Sequence, residues 1–213
     1  MKDKILLIDN LLDKVDEMII GGGMAFTFLK VLYDWEIGNS LFDESAVDIV
    51  QRIVDKAKEK NVKLTFPVDF VCGNKVAEDA ETIVTESMVP KGFYGLDVGP
   101  KTSELYKEVI QRCKTIVWNG PQGLFEMAKF RAGSESLVHE LTKATSKGAI
   151  TIVGGGDSVS MINSMGEGKA TLSHLSTGGG ASLELLEGKK MPGVEYLSNK
   201  SELKTSEEVL SEK

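Results

Sequence analysis

Three runs of three glycines, at 21–23, 154–156 and 178–180, are the residues of this chain best suited to chemistry. The middle run sits in IVGGGDSVS (152–160), where two β-branched residues lead into Gly154, Gly155 and Gly156, and Asp157 and Ser158 follow. Glycine lets the backbone adopt positive φ and lets a ligand come close to the chain. A helix that begins just after such a turn points unpaired N–H groups, and about half a positive charge, toward whatever lies in front of it. That combination suits a phosphate. Asp157 has two readings. It can be an N-cap worth ~1 kcal/mol to its helix. Beside phosphates, which repel a bare carboxylate, it can instead hold Mg²⁺, directly or through water. A fourth turn of this kind, Asn119–Gly120–Pro121, closes the apolar run Thr115–Trp118.

The common nucleotide signatures are not met. A Walker loop requires GxxxxGK[ST], and GEGKAT at 166–171 lacks the first glycine and the hydroxyl. A GxGxxG fingerprint fails at each triplet, because the sixth positions are Phe26, Val159 and Leu183. The HRD and DFG signatures of protein kinases are absent. A dinucleotide dehydrogenase and a protein kinase are thus disfavoured.

Bulk composition narrows the class further. With 213 residues, 41% of them hydrophobic, the chain can bury a sizeable core as one large domain. A net charge of −7 argues against a broad nucleic-acid face, although backbone amides can still take a small anion. Cys72 and Cys113 form no metal-ligating pattern and read as free thiols in a reducing compartment. The N-terminal apolar run is too short for a signal peptide, and no stretch is long enough for a membrane span. A cytoplasmic protein without membrane attachment is expected.

The elements that must position the glycines follow from hydrophobic periodicity. Helices are expected at 2–15, 24–33, 44–60, 101–113, 130–146, 157–165 and 181–187, and strands at 17–20, 63–66, 115–118, 149–153 and 172–175. The segment 71–99 reads as less regular, with an edge strand at 82–85 and a glycine- and proline-marked loop at 91–100. Strands alternating with helices imply an α/β, doubly wound, mostly parallel sheet covered on both faces, in a single Rossmann-like domain. In such a sheet ligands sit beyond the carboxyl ends of the strands. All three triplets and the Asn119–Pro121 turn fall at that end.

Longer motifs then point to one family. KDKI at 2–5 and the stretch LIDNLLDKVDEMIIGGGMAFTFLK that follows, PVDF at 67–70, GLDVGP at 95–100 and IVWNGPQGLFE at 116–126 resemble phosphoglycerate kinase. So do TIVGGGDSVS at 151–160 and SHLSTGGGASLELLEGKKMPGV at 173–194. The resemblance reaches from the start to about residue 199 and is to the C-terminal, nucleotide-binding half of that two-domain enzyme. It implies a nucleotide-binding domain at 1–199 followed by a polar tail at 200–213, and expected partners in ADP or ATP with Mg²⁺. It also implies an absent N-terminal domain carrying the 3-phosphoglycerate site, and an absent GGAK run ahead of KDKI. A monomer that binds neither nucleic acid nor membrane is expected.

By the same resemblance, Gly21, Gly22, Gly23 and Leu41 line the adenine pocket, with Leu96 on its other side. Asn119, Pro121 and Gly123 flank the nucleotide, and Glu126 hydrogen-bonds the ribose hydroxyls. Gly155, Gly156, Asp157 and Ser158 lie at the phosphates, with Asp157 orienting Mg²⁺. Lys4 contacts the phosphates and neutralises the phosphoryl group in transfer, and Gly178, Gly179 and Gly180 aim amides at it. Ser158 stands where the family usually has threonine, Val76 where many members have an aromatic residue, and 77–95 is slightly shorter than usual. The resemblance implies transfer of the acyl phosphate of 1,3-bisphosphoglycerate to ADP, with little turnover by this chain alone. The alternatives are a non-catalytic nucleotide-binding module and a glycine-rich scaffold with no ligand.

Overall fold

The computed structural model describes residues 2–165, 171–176, 178–186 and 188–197. The expected tail at 200–213 and most of GEGKAT lie outside the described residues. The chain opens with α1 (Lys2–Leu11), β1 (Glu17–Ile19), α2 (Gly22–Tyr33) and α3 (Val47–Glu59). Next come β2 (Lys63–Thr65), β3 (Asp69–Gly73), β4 (Thr82–Glu86), β5 (Tyr94–Val98) and α4 (Pro100–Arg112). The last third runs β6 (Thr115–Asn119), α5 (Ala132–Ser146), β7 (Ile150–Gly154), α6 (Gly156–Met165), β8 (His174–Leu175), α7 (Gly179–Leu186) and α8 (Pro192–Glu195).

Pairing is mostly parallel, as alternating strands and helices require. β1 pairs with β2, and β6, β7 and β8 lie side by side in that order, all parallel. The third sheet, β4–β3–β5, is antiparallel. Two of its strands depart from the sequence-based expectation. β3 lies in a stretch read as irregular, and β5 in one read as a loop. Glycines within and just after them hid them, and the packing explains those residues. A methyl group at Gly95, within β5, would overlap the ring of Phe26 on α2, so glycine here marks close approach of helix to strand. A methyl at Gly99 would overlap the carboxylate of Asp69.

Helix α3 shows why the amphipathic pattern was readable. Val50, Ile53 and Ala57 are buried one turn apart, while Gln51, Arg52, Asp55 and Lys58 face solvent. They pack with Ile8 of α1, Leu12 just after it, Phe28 of α2 and Ile20 into one core. Lys56 ties α3 to α1 by donating to the Asp9 carbonyl at 2.6 Å and the Asp13 carboxylate at 2.8 Å. Helix α2 behaves differently. Five consecutive residues, Ala25–Leu29, are buried because its second side packs on Phe70 and Cys72 of β3. A helix covered on two sides is apolar all round.

The largest core joins α4, α5 and α6 to the parallel strands. Tyr106, Ile110, Leu137, Leu141, Met161 and Ile162 close over Trp118 of β6 and Val153 of β7. Fully burying each such aliphatic side chain contributes about 1.5–3 kcal/mol. Both cysteines are free, and burial pushes both thiols above their ordinary pKa. Among the described residues, no helix is long and apolar enough to cross a membrane.

Candidate nucleotide site at the strand ends

The parallel register brings the glycine turns together. Asn119, the last residue of β6, pairs with Gly154, the last of β7. Val153 pairs with Leu175 of β8, and the Ser176 N–H donates to the Val153 carbonyl at 2.7 Å. Three successive strands therefore end level, each opening into one of the turns. α6 starts at Gly156, and α7 starts at Gly179, directly after the exposed Gly178. Both helices thus present unpaired N–H groups on the same side.

The first triplet joins this row through packing. A methyl at Gly21 would overlap the Gln122 side-chain amide, and one at Gly22 would lie 3.1 Å from the Pro121 carbonyl. Gly22 also has φ +61°, a left-handed conformation that favours glycine. A methyl at Gly23 would stand 2.8 Å from Cδ1 of Leu41, which is 62% exposed beside it. Gly21–Gly23, Leu41, Asn119, Pro121, Gly155 and Ser158 are thereby linked into a single row.

The turn after β6 is held from beneath. Its Gly120 N–H donates to Ser158 Oγ at 2.8 Å, and Trp118 Nε1 donates to the Gly120 carbonyl at 2.7 Å. The Ser158 hydroxyl, expected near the phosphates, is buried in this support. The N–H groups of Gln122 and Gly123 both donate to Ser134 Oγ, at 2.8 and 3.3 Å. Leu124 N–H donates to the carbonyl of Leu96, whose side chain is buried with Phe130 and Ala80. Glu126 is exposed on the outer side of this loop. Lys4 lies on α1, which packs against α7.

Asp157 occupies the first turn of α6, exposed, and its carboxylate has no hydrogen-bond partner among the described residues. It is not acting as an N-cap. A methyl at Gly156 would meet none of the described residues within 4 Å. Nδ2 of Asn119 is buried against Gly155 without a partner among the described residues. Among the described residues no three His, Cys, Asp or Glu side chains gather into a metal cage.

Asp97, Gln122 and Ser134 were not singled out in the sequence. Asp97 is buried on β5 and accepts from Gly133 N–H at 2.8 Å and Val98 N–H at 2.9 Å. Burial pushes its carboxyl up to about 7, against those two N–H groups, and the nearby Glu135 pushes the same way. The folded pKa exceeds the unfolded one, so the native state holds the proton more tightly. The resulting stabilisation is fully present below about pH 4 and is lost as pH rises through about 7. The available signal was an acid between two apolar strand residues, Leu96 and Val98. Neither histidine enters the row: His139 is exposed on α5 and His174 is exposed on β8.

Comparison with known proteins bears on this arrangement. A family model described as phosphoglycerate kinase matches residues 1–189. Phosphoglycerate kinase of Tetrahymena thermophila is 55% identical over 207 residues, covering 95% of this chain and 49% of its own. A probable phosphoglycerate kinase of Caenorhabditis elegans is 57% identical over 198 residues, covering 92% and 47%. The solved structure of phosphoglycerate kinase from Coxiella burnetii superposes with a TM-score of 0.85 at 42% identity, over 91% of this chain and 49% of that one. The chain spans about half the length of the relatives it matches.

Proposed function

We propose a function from one premise: the chain belongs to the phosphoglycerate kinase family. It serves as the nucleotide-binding half of an enzyme that moves the acyl phosphate of 1,3-bisphosphoglycerate to ADP, reversibly, giving 3-phosphoglycerate and ATP. The observation that carries this reading is the level ends of β6, β7 and β8, each opening into a glycine turn, with the turn after β1 packed against the one after β6. Gly21–Gly23 and Leu41 take the adenine, with Leu96 behind. Asn119, Pro121 and Gly123 flank the nucleotide, and Glu126 reaches the ribose. Gly155, Gly156 and the start of α6 face the phosphates. A separate domain bearing the 3-phosphoglycerate site completes the enzyme, which works as a cytoplasmic monomer.

Phosphoryl transfer depends on positioning and on stabilising charge spread over the moving group. The amides of Gly178–Gly180 and the Lys4 ammonium supply that stabilisation. Asp157 would hold Mg²⁺, which when bound would offset the charge of the phosphates. The attacking oxygen of ADP is already ionised, so no general base is required. That agrees with a row containing neither histidine.

Calorimetric titration of residues 1–213 with Mg–ADP tests this reading. Binding is expected, stronger with Mg²⁺ than without, and with little or no turnover until a family N-terminal domain is added. Asp157→Ala is expected to abolish the Mg²⁺ dependence while changing stability by less than about 0.5 kcal/mol, as for an exposed residue with no partner. Retained Mg²⁺ dependence in that variant would remove Asp157 from the metal site. Absence of heat or thermal shift in the native chain would favour a ligand-free glycine scaffold.

A further inference from the structure

Beneath the loop that carries Pro121, Gly123 and Glu126 lies a carboxylate that no contact with nucleotide explains. We propose that Asp97 is a positioning residue whose ionised carboxylate sets the 121–124 loop, and through it nucleotide affinity. The proposal rests on the nucleotide reading above.

The geometry has three parts. A methyl at Gly123 would overlap both the Asp97 carboxylate and the Phe130 carbonyl, so the loop lies directly on this side chain. The same carboxylate accepts from Gly133 N–H at 2.8 Å, in the first turn of α5, and from Val98 N–H at 2.9 Å. The next residue of α5, Ser134, is fully buried and takes the N–H groups of Gln122 and Gly123. Asp97 thus docks the start of α5 on β5, and Ser134 passes that placement to the loop.

Protonation changes this mount. As an anion, Asp97 accepts both N–H bonds, each strengthened by charge. Once protonated, one oxygen carries a hydrogen, and its pairing with a backbone donor weakens. A neutral packing role needs no carboxylate here, because an apolar group of similar size avoids the cost of burying charge. The charged groups around it are few. Glu135 on α5 adds like charge and is itself paired with Arg131, β3 sets Val71 opposite, and the connection at 120–131 carries the exposed Glu126 and Lys129, the latter donating to the Ala80 carbonyl. Burial carries the Asp97 pKa into the neutral range, so the switch falls within reach of experiment.

Two measurements on the native chain and on Asp97→Asn, which mimics the neutral acid, test the idea. In the first, amide resonances of Gln122 and Gly123 are followed by NMR from about pH 5.5 to about pH 8.5. They are expected to shift with Gly133 around neutrality in the native chain and to stay flat in the variant. In the second, Mg–ADP dissociation constants are taken at both ends of that range, and their ratio cancels the titration of the nucleotide itself. The variant is expected to bind about tenfold more weakly at the upper end and equally at the lower, the effect of one charge-assisted hydrogen bond. Resonances of Gln122 and Gly123 that stay flat in the native chain while Gly133 titrates overturn the positioning role, whatever the nucleotide does. A binding ratio independent of pH overturns the link to affinity. A native chain that binds no Mg–ADP at either pH overturns the nucleotide reading, and the link to affinity with it.

Discussion

Replacing Asp69 with alanine is expected to lower the unfolding free energy by about 3–5 kcal/mol, the largest loss from any single side chain considered. Asp69 is 1% exposed, and its carboxylate accepts three hydrogen bonds at the start of α4. They come from Lys101 N–H at 2.9 Å, Thr102 N–H at 2.7 Å and the Thr102 hydroxyl at 2.6 Å. It caps the helix from another strand, because the residue at the cap position is Gly99, which has no side chain to do so. Gly99 must be glycine for the same reason, since the carboxylate fills the space its methyl would need. Truncation leaves the Lys101 and Thr102 N–H donors with no acceptor, while the Thr102 hydroxyl keeps only the Asp69 carbonyl at 3.1 Å. Set against the ~5–15 kcal/mol that holds a typical domain together, the loss is severe. Urea unfolding should show a lower midpoint with an unchanged slope, and Asp69→Asn, which keeps one acceptor, should lose about half as much. A loss below about 1 kcal/mol would mean that water replaces the cap.

How much of this was readable in advance depended on what each segment packs against. α3 buries one stripe and exposes the rest, so its period of 3.6 was plain in the sequence. β6 and β7 gave short apolar runs closed by glycine, and their ends located the candidate site. β3 and β5 were obscured because the glycines in and after them answer to distant partners, Leu96 and Phe130 at Gly73, Phe26 at Gly95 and Asp69 at Gly99, which no local pattern reveals. The site divides along the same line. Its glycine turns were legible from strand-end placement. The support beneath them was not, because Ser134, Asp97 and the Ser158 hydroxyl act through contacts 11 to 38 residues away in sequence. Asp157 has two readings in the sequence, and the structure bears on the capping one: it is exposed in the first turn of α6, without a cap hydrogen bond among the described residues.

The middle triplet offers the sharpest separation of ligand from packing. Its three glycines do not owe their identity to the same cause. Gly154 is a buried strand end, and Gly155 has φ +92° with the Asn119 amide against it, so both answer to the fold. Among the described residues, nothing requires glycine at 156. The residue lies in the first turn of α6, its φ is not positive, and a methyl there would meet none of the described residues within 4 Å. Alanine is the better helix former by up to about 1 kcal/mol, so Gly156→Ala is expected to leave thermal stability unchanged or slightly raised. If phosphates press against this backbone, the same methyl intrudes on them, and Mg–ADP affinity should fall by at least about tenfold. Gly123→Ala is the control of opposite kind, because its methyl would overlap the Phe130 carbonyl and the Asp97 carboxylate. That variant should lose stability by about 1–3 kcal/mol as well as binding. Unaltered Mg–ADP affinity in Gly156→Ala would show that the phosphates do not lie against α6.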